Sequence, residues 1–147
     1  MTNTIGCIEK ADTILITGSN TSENHPVLSS YVKRAVIQKG AKLIVIDPRR
    51  IKISRYADLY LRQNLGSDVA WINGLMHVII KEGVQDQEFV EKRTTGYDEL
   101  KQTVEKFTPE FVQEITGIPA EDIIAAARMY AGAERGSILY RMVMVPV

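Results

Sequence analysis

The sequence contains a single cysteine among its 147 residues and has no signal for a leader or a membrane span. Cys7 has no disulfide partner within the chain, and without a CxxC pair neither a cysteine-rich zinc site nor an iron–sulfur cluster is supported in this chain. No basic segment followed by an apolar one opens the sequence, and no run approaches the roughly 20 apolar residues of a membrane helix. We therefore expect a cytoplasmic protein without a membrane span.

An excess of charge of one sign is also missing, because 18 Lys and Arg balance 18 Asp and Glu. This balance does not favour a nucleic-acid partner bound through a global positive field, so any anion site must be local. The two histidines, His25 and His77, have no neighbours at ligand spacing, which argues against a metal site or a catalytic triad in this chain. The length suits one domain with a single core.

Apolar runs and turn signals in the first half predict alternating strands and helices. The stretches "DTILITGSN" and "KLIVID" indicate buried strands, and "ADLYLR" indicates a weaker third strand. Between the first two, Pro26 and Gly40 mark the ends of an amphipathic helix. Because strands that are apolar on both faces and joined by a helix pair in parallel, we predict an α/β fold, a Rossmann-like three-layer domain with a mostly parallel sheet.

The second half is predicted to be a helical cluster followed by a final strand. The stretch "GSDVAWINGLMHVIIKEG" indicates a helix that ends at Gly83. Its apolar positions at helical spacing are Val69, Ile72, Met76, Ile79 and Ile80. Helical patterns continue to residue 133, and "GSILY" returns to strand composition. We expect a single domain, residues 1–147, with a Rossmann-like half at 1–85, a helical cluster at 86–135, and a terminal strand and atypical tail at 136–147.

Three features of the sequence are predicted to meet at one edge of the sheet. Ligands of open parallel sheets bind outside the carboxyl ends of the strands, where loops and helix N-termini converge. The features are the loop from Gly18 to His25, the segment from Asp47 to Arg50, and the turn Gly66-Ser67-Asp68.

The first loop has the composition of a phosphate-binding or a helix-capping segment. Gly18 permits close backbone approach, and Asn20, Glu23 and Asn24 precede a helix start, where free N–H groups and the helix dipole suit a phosphate. The loop lacks the later glycines of a GxGxxG fingerprint, so an ordinary NAD site is weakly supported. Plain helix capping is an equally compatible alternative.

Asp47 follows the second strand, at the position where an acid in such folds hydrogen-bonds a ribose hydroxyl. Arg49 can then approach a phosphate or stack on a base. The alternative is that the carboxylate pairs with Arg49, Arg50 or Arg55 and only ends the strand. Pro48 stops the strand ladder directly after the acid.

Asp68 follows a glycine in the first turn of a predicted helix, and two roles suit it. The first is a favourable interaction with the helix dipole. The second is acceptance of two hydrogen bonds from the N1–H and N2–H groups of a guanine, a pattern that adenine does not offer. Position alone favours the first role.

Together these stretches resemble a known family. "ADTILITGSNTSENHP", "KGAKLIVIDPRRIKISRYADLYL" and "GSDVAWINGLMHVIIKEG" resemble the second domain of molybdopterin-dependent oxidoreductases, and most closely that of the large α subunit of formate dehydrogenase. The helical stretch "FVEKRTTGYDELKQTVEKFTPEFVQEITGIPAEDIIAAARMYAGA" is similar to the continuation of that family. The resemblance extends from about Met1 to Tyr140, and the combination of DPR with G-[ST]-D is its most specific part.

The resemblance implies an enzyme with two molybdopterin guanine dinucleotides around molybdenum or tungsten, in which this domain holds the guanosine end of one of them. The resemblance implies that the phosphate and ribose side of this nucleotide is lined by Gly18, Asn20, Glu23 and Asn24. It also implies that the nucleoside is surrounded by Asp47, Arg49, Gly66, Ser67 and Asp68. Of these, Asp68 would be the residue that recognises guanine.

Other parts of the family pattern have no counterpart here. The [4Fe–4S] cysteine motif and the selenocysteine or cysteine that ligates the metal lie upstream of the position matching Met1, so Cys7 inherits neither role. The catalytic histidine and arginine and the C-terminal domain of the family are also unmatched, and "RMVMVPV" replaces the expected glycine-rich turn, which suggests a truncation or a frameshift remnant. We assign no catalytic residue and no metal ligand, and we do not expect unaided turnover.

Three functions follow from these expectations. The first is a fragment or standalone domain of a formate dehydrogenase-like oxidoreductase, whose partners are the missing parts of the large subunit or, through exposed apolar surface, a second copy. The alternative is a non-catalytic nucleotide- or cofactor-binding scaffold module. The third and weakest is a nucleotide-binding α/β domain unrelated to molybdenum.

Overall fold

The computed structural model describes residues 4–140 of the chain. Their contacts form two compact units, one of residues 4–63 with 133–140 and the other of residues 64–132. The expected halves at 1–85 and 86–135 stay a prediction, and the helix that begins at Asp68 groups with the later helices. The tail expected after Tyr140 lies outside the described residues.

The first unit, the sheet unit, is built around four strands. Its elements are a 3₁₀ helix at Ile5–Lys10, β1 (Thr13–Thr17), α1 (Thr21–Asn24), α2 (Pro26–Lys39), β2 (Lys42–Ile46), a 3₁₀ helix at Lys52–Tyr56, β3 (Leu59–Leu61) and β4 (Gly136–Tyr140). The strand order is β3-β2-β1-β4, and all three neighbouring pairs are parallel. The predicted α/β fold with a parallel sheet and a final strand is confirmed.

Helix α2 provides the crossover that parallel pairing of β1 and β2 requires. It begins at Pro26, whose missing N–H is not needed in the first turn, and ends at Gly40 in the left-handed conformation (φ 73°). β1 is buried along its whole length. One core cluster joins buried residues of the first 3₁₀ helix, the strands and α2, including Ile8, Ile14, Ile16, Val32, Ala35, Leu43 and Val45.

Two carboxylates connect neighbouring strands of this sheet by hydrogen bonds near their amino ends. Asp58 accepts hydrogen bonds from the backbone N–H of Leu43 (2.9 Å) and from Lys42 Nζ (3.0 Å), which ties the start of β2 to the segment before β3. Asp12 accepts from the backbone N–H (3.0 Å) and Nη2 (3.1 Å) of Arg135. Since these contacts fix the register, the carboxyl ends of the strands align at the opposite edge.

The second unit, the helical unit, contains α3 (Asp68–Glu82), α4 (Gln87–Arg93), α5 (Tyr97–Val104), α6 (Pro109–Thr116) and α7 (Ala120–Ala131). Helix α3 packs against α5, α6 and α7. Asp86, Gly96, Thr108 and Pro119 are the N-cap residues of α4 to α7. No helix in the described range, residues 4–140, is long and apolar enough to cross a membrane.

The buried face of α3 differs from the one that spacing alone indicates. Val69 and Ile72 are exposed, at 52% and 36%, whereas Trp71 and Gly74 are buried. A Cβ added to Gly74 would lie 2.7 Å from Val112 Cγ2, so the glycine permits the close approach of α3 to α6. Because α3 is apolar nearly all round, its periodicity did not determine which side packs.

Candidate functional site

The carboxyl ends of all four strands lie at one edge of the sheet unit. Thr17 is in register with both Ile46 and Tyr140, and Ile46 is in register with Leu61. The loop after β1 and the turn after β2 therefore emerge from neighbouring strands at the edge where parallel sheets bind ligands. This brings together six of the nine predicted site residues, namely Gly18, Asn20, Glu23, Asn24, Asp47 and Arg49.

The loop after β1 turns sharply and is held by its own side chains. Gly18 adopts the left-handed conformation (φ 58°), which other residues rarely adopt. Asn20 occupies the N-cap of α1, yet its side chain makes no capping hydrogen bond. Its Nδ2 instead donates to Glu23 Oε2 (2.8 Å), and Glu23 Oε1 forms an ion pair with Lys52 Nζ (3.3 Å).

Three polar oxygen atoms at the end of β1 and in the following loop are buried and have no hydrogen-bond partner within the described residues. They are Thr17 Oγ1, Asn20 Oδ1 and Thr21 Oγ1, which fall within five consecutive residues. Thr17 and Thr21 are 4% and 1% exposed. Because buried polar atoms in folded proteins are nearly always hydrogen-bonded, such a group marks a place where a polar ligand fits.

The turn after β2 is organised by Asp47, which is only 2% exposed. Its Oδ1 accepts a hydrogen bond from the backbone N–H of Arg49 (2.8 Å), which is the arrangement of an Asx turn. Arg49 Nε lies 3.7 Å from the same oxygen, while the Arg49 side chain is 73% exposed. Two roles were predicted for Asp47, a hydrogen bond to a ribose hydroxyl and pairing with a nearby arginine. The structure shows the pairing with Arg49.

Tyr60 of β3 and Arg62, which directly follows β3, also contact this turn, and the sequence had not indicated them. Tyr60 Oη donates to the backbone carbonyl of Asp47 (3.0 Å), and Arg62 Nε donates to that of Pro48 (3.2 Å). Burial and the nearby Asp47 carboxylate raise the pKa of the Tyr60 hydroxyl. Only the register of β2 on β3, which pairs Val45 with Tyr60, reveals these contacts.

A cleft of about 830 Å³ lies beside the β1 loop within the sheet unit. Polar wall atoms come from Ser19, Thr21 and Asn24 of the loop. Apolar walls come from the first 3₁₀ helix, the start of α2 and strand β4. The unpartnered Thr21 hydroxyl thus belongs to a residue that lines an open, partly apolar space large enough for an organic ligand.

The remaining three predicted residues belong to the helical unit. Gly66 has a positive φ of 76°, and Ser67 is the N-cap of α3, with its hydroxyl donating to the Asn64 carbonyl (2.7 Å). Asp68 lies in the first turn of α3, and its Oδ1 accepts a hydrogen bond from Trp71 Nε1 (3.2 Å). The dipole interaction and the Trp71 contact give this carboxylate a fixed orientation.

The histidines and the cysteine do not form a cluster. His25 is exposed at the junction of α1 and α2, His77 is buried with Nδ1 3.0 Å from the Val104 carbonyl oxygen, and Cys7 is exposed. Among residues 4–140, no group of three or more His, Cys, Asp or Glu side chains is arranged to hold a metal ion.

Comparison with known proteins shows which sequences this chain is similar to. A family model described as molybdopterin oxidoreductase matches residues 1–145. The chain is 49% identical over 97% of its length to formate dehydrogenase 1 subunit alpha of Methanococcus maripaludis, and 42% identical over 97% to formate dehydrogenase H of Escherichia coli. It spans about a fifth of the length of these curated relatives.

A solved structure agrees with the fold. Acetylene hydratase from Pelobacter acetylenicus matches with a TM-score of 0.83 and 39% identity, over 89% of this chain and 18% of that one. Relatives that carry this segment are thus named for different reactions, a dehydrogenation and a hydration. The shared segment therefore does not by itself specify a reaction.

Proposed function

Because the chain belongs to the molybdopterin oxidoreductase family and is formate dehydrogenase-like, we propose that the carboxyl edge of its sheet binds the guanosine end of a molybdopterin guanine dinucleotide. The resemblance predicted from the sequence is confirmed at the level of the family. The guanine dinucleotide and the residues that bind it are the subject of the proposal.

The observation that carries the proposal is the set of unpartnered oxygen atoms at the end of β1. The hydroxyls of Thr17 and Thr21 can donate to phosphate oxygens, and Asn20 Oδ1 can accept from a ribose hydroxyl. A bound nucleotide would satisfy groups that are otherwise costly to bury, by about 1 to 3 kcal/mol each. Gly18 allows the backbone to approach the phosphates, and Glu23 and Asn24 complete the loop on the ribose side.

Arg49 supplies the positive charge that a diphosphate requires. Its exposed guanidinium is available for a bidentate contact or for stacking on a base without any rearrangement of the turn. Asp47 is buried beneath it, so we assign Asp47 the role of orienting Arg49. A direct ribose contact by Asp47 would require its carboxylate to become accessible.

For the helical unit we propose that Asp68 recognises guanine. The carboxylate lies in the first turn of a 15-residue helix, after the Gly66-Ser67 turn, and one oxygen is oriented by Trp71. A carboxylate fixed in this way can accept the N1–H and N2–H of guanine together, and it would meet no such pair on adenine. This role rests on the family resemblance and on the position of Asp68 at the helix start.

The bound cofactor would supply the redox chemistry at its metal, and this chain would contribute binding and orientation. Relatives named for different reactions support such a division of labour. We propose formate as the substrate of the larger protein, on the identity to two formate dehydrogenases, and the rest of a large subunit as the partner. We also propose a cytoplasmic location, because a chain with a single cysteine contains no disulfide that would require an oxidising compartment.

Calorimetric titration of the 147-residue chain with GDP and ADP tests the proposal. We expect GDP to bind more tightly than ADP, and Asp68→Ala to weaken GDP binding by about 1 to 3 kcal/mol because a bidentate charge-assisted contact is lost. The variant should leave ADP binding unchanged, which is the matched control. Absent binding of GDP would contradict the nucleotide site, and equal binding of both nucleotides would remove the role of Asp68.

A further inference from the structure

The turn from Asp47 to Arg49 is held from outside by the end of β3. Tyr60 Oη donates to the Asp47 carbonyl (3.0 Å), the Asp47 N–H donates to the Leu61 carbonyl (3.2 Å), and Arg62 Nε donates to the Pro48 carbonyl (3.2 Å). Three consecutive residues, the last two of β3 and the following Arg62, therefore contact two consecutive residues of the turn.

These contacts reach Arg49 through the backbone. Arg49 itself is bound to the turn by its N–H, which donates to Asp47 Oδ1 (2.8 Å), and by the 3.7 Å ion pair of its Nε. Its side chain is otherwise largely in solvent. The backbone from which the Arg49 side chain extends is thus held by the contacts of Tyr60, Leu61 and Arg62 with Asp47 and Pro48.

We infer that Tyr60 and Arg62 are positioning residues for Arg49, because they fix the turn so that the guanidinium is already oriented for the diphosphate of a guanine nucleotide. This inference rests on the proposed function. Orienting the group before binding lowers the entropy that binding must remove, so the effect is on affinity for the nucleotide.

The ring and the hydroxyl of Tyr60 make different contacts. Its ring packs against the core cluster, while its hydroxyl contacts the turn. Because burial and the Asp47 charge raise its pKa, the hydroxyl stays protonated and remains a donor at neutral pH. A change from Tyr to Phe therefore removes the contact with the turn and keeps the packing.

Titration of the 147-residue chain with GDP, with Tyr60→Phe as the variant, tests the inference. We expect the affinity for GDP to fall by about 3- to 10-fold, the loss expected for one hydrogen bond. The matched control is Tyr56→Phe, a tyrosine of the adjacent 3₁₀ helix whose ring is contacted by Lys33 Nζ (5.7 Å to the ring centroid). That control should bind GDP like the unchanged protein.

A double-mutant cycle separates positioning from a general structural effect. In an Arg49→Met background, Tyr60→Phe should cause no further loss of GDP affinity, because the group that it positions is gone. Arg62→Lys keeps the charge and removes the Nε donor, so it should lower affinity by about 2- to 5-fold and provides a second test if Tyr60→Phe does not fold.

The outcomes distinguish this inference from the proposed function. If the unchanged chain does not bind GDP, both are wrong. If it binds GDP and the Tyr60→Phe and Arg62→Lys variants bind GDP equally well, the inference alone is wrong. An undiminished effect of Tyr60→Phe in the Arg49→Met background would also overturn it, since the tyrosine would then act without Arg49.

Discussion

Two helix starts of the helical unit and one of the sheet unit carry the same kinds of polar residue with opposite outcomes. In the helical unit, Asp86 and Thr108 each accept a hydrogen bond from the backbone N–H three residues later (2.9 and 3.3 Å). In the sheet unit, Asn20 occupies the N-cap of α1 without such a bond, and the Thr21 hydroxyl after it is buried without a partner. The side-chain caps of α4 and α6 are therefore formed, whereas the N-cap of α1 has none, as is also the case for Ser67 at the start of α3.

This difference shows which polar groups hold the fold together and which are available to a ligand. The helical unit also has unpartnered buried atoms, on His77, Gln85 and Tyr97, but these are separated along the chain. In the sheet unit, three such atoms fall within residues 17–21, at the carboxyl end of a parallel strand. Concentration at a ligand-binding edge, rather than the existence of unsatisfied atoms, distinguishes the sheet unit.

The largest expected effect of a substitution is a loss of stability at Thr116, whose hydroxyl both donates and accepts a hydrogen bond. Thr116 is fully buried, and its hydroxyl donates to the Val112 carbonyl (2.7 Å) and accepts from the Ile118 N–H (3.1 Å). Thr116→Val leaves that N–H buried without an acceptor, so the free energy of unfolding in urea should fall by about 1 to 3 kcal/mol.

The control for this change is Thr103→Val, where the hydroxyl donates to the Glu99 carbonyl (2.8 Å) on an exposed helix face. Its effect should stay within about 0.5 kcal/mol. Similar losses at both positions would mean that burial of the hydrogen bonds does not decide the cost.

The same substitution at Thr21 is expected to act on binding instead. Thr21→Val replaces an unpartnered buried hydroxyl with a methyl group, so the free energy of unfolding should be unchanged or slightly higher. GDP affinity, measured by calorimetry, should fall by about 2- to 10-fold because one contact to the ligand is lost. A marked loss of stability with unchanged GDP affinity would reverse the comparison of the two regions.

The elements with local end signals could be predicted from the sequence. Pro26 and Gly40 bound α2, and Gly83 ends α3 in the left-handed conformation, because these residues act through their own backbone preferences. The parallel sheet followed from strands that are apolar on both faces and separated by a helix. Position at the carboxyl ends of parallel strands then indicated the residues after β1 and β2, and the family resemblance indicated their ligand.

The rest depended on tertiary contacts that no local pattern encodes. The packed side of α3 includes Gly74, which lies against Val112 and which apolar spacing did not indicate. The burial of Asp47 and its support by Tyr60 follow from the pairing of β2 with β3, which brings together residues 13 positions apart. The direct ribose contact of Asp47 was predicted from its position at the end of the strand. Its contacts within the turn are visible only in the folded structure.

Mapping of GDP-induced shifts in the amide NMR spectrum of the 147-residue chain tests the central claim most directly. If the carboxyl edge of the sheet binds the nucleotide, the largest shifts within the sheet unit should fall on residues 18–24 and 47–50, and residues 87–131 should change little. No shifts at saturating GDP, or the largest shifts within residues 87–131, would contradict the account.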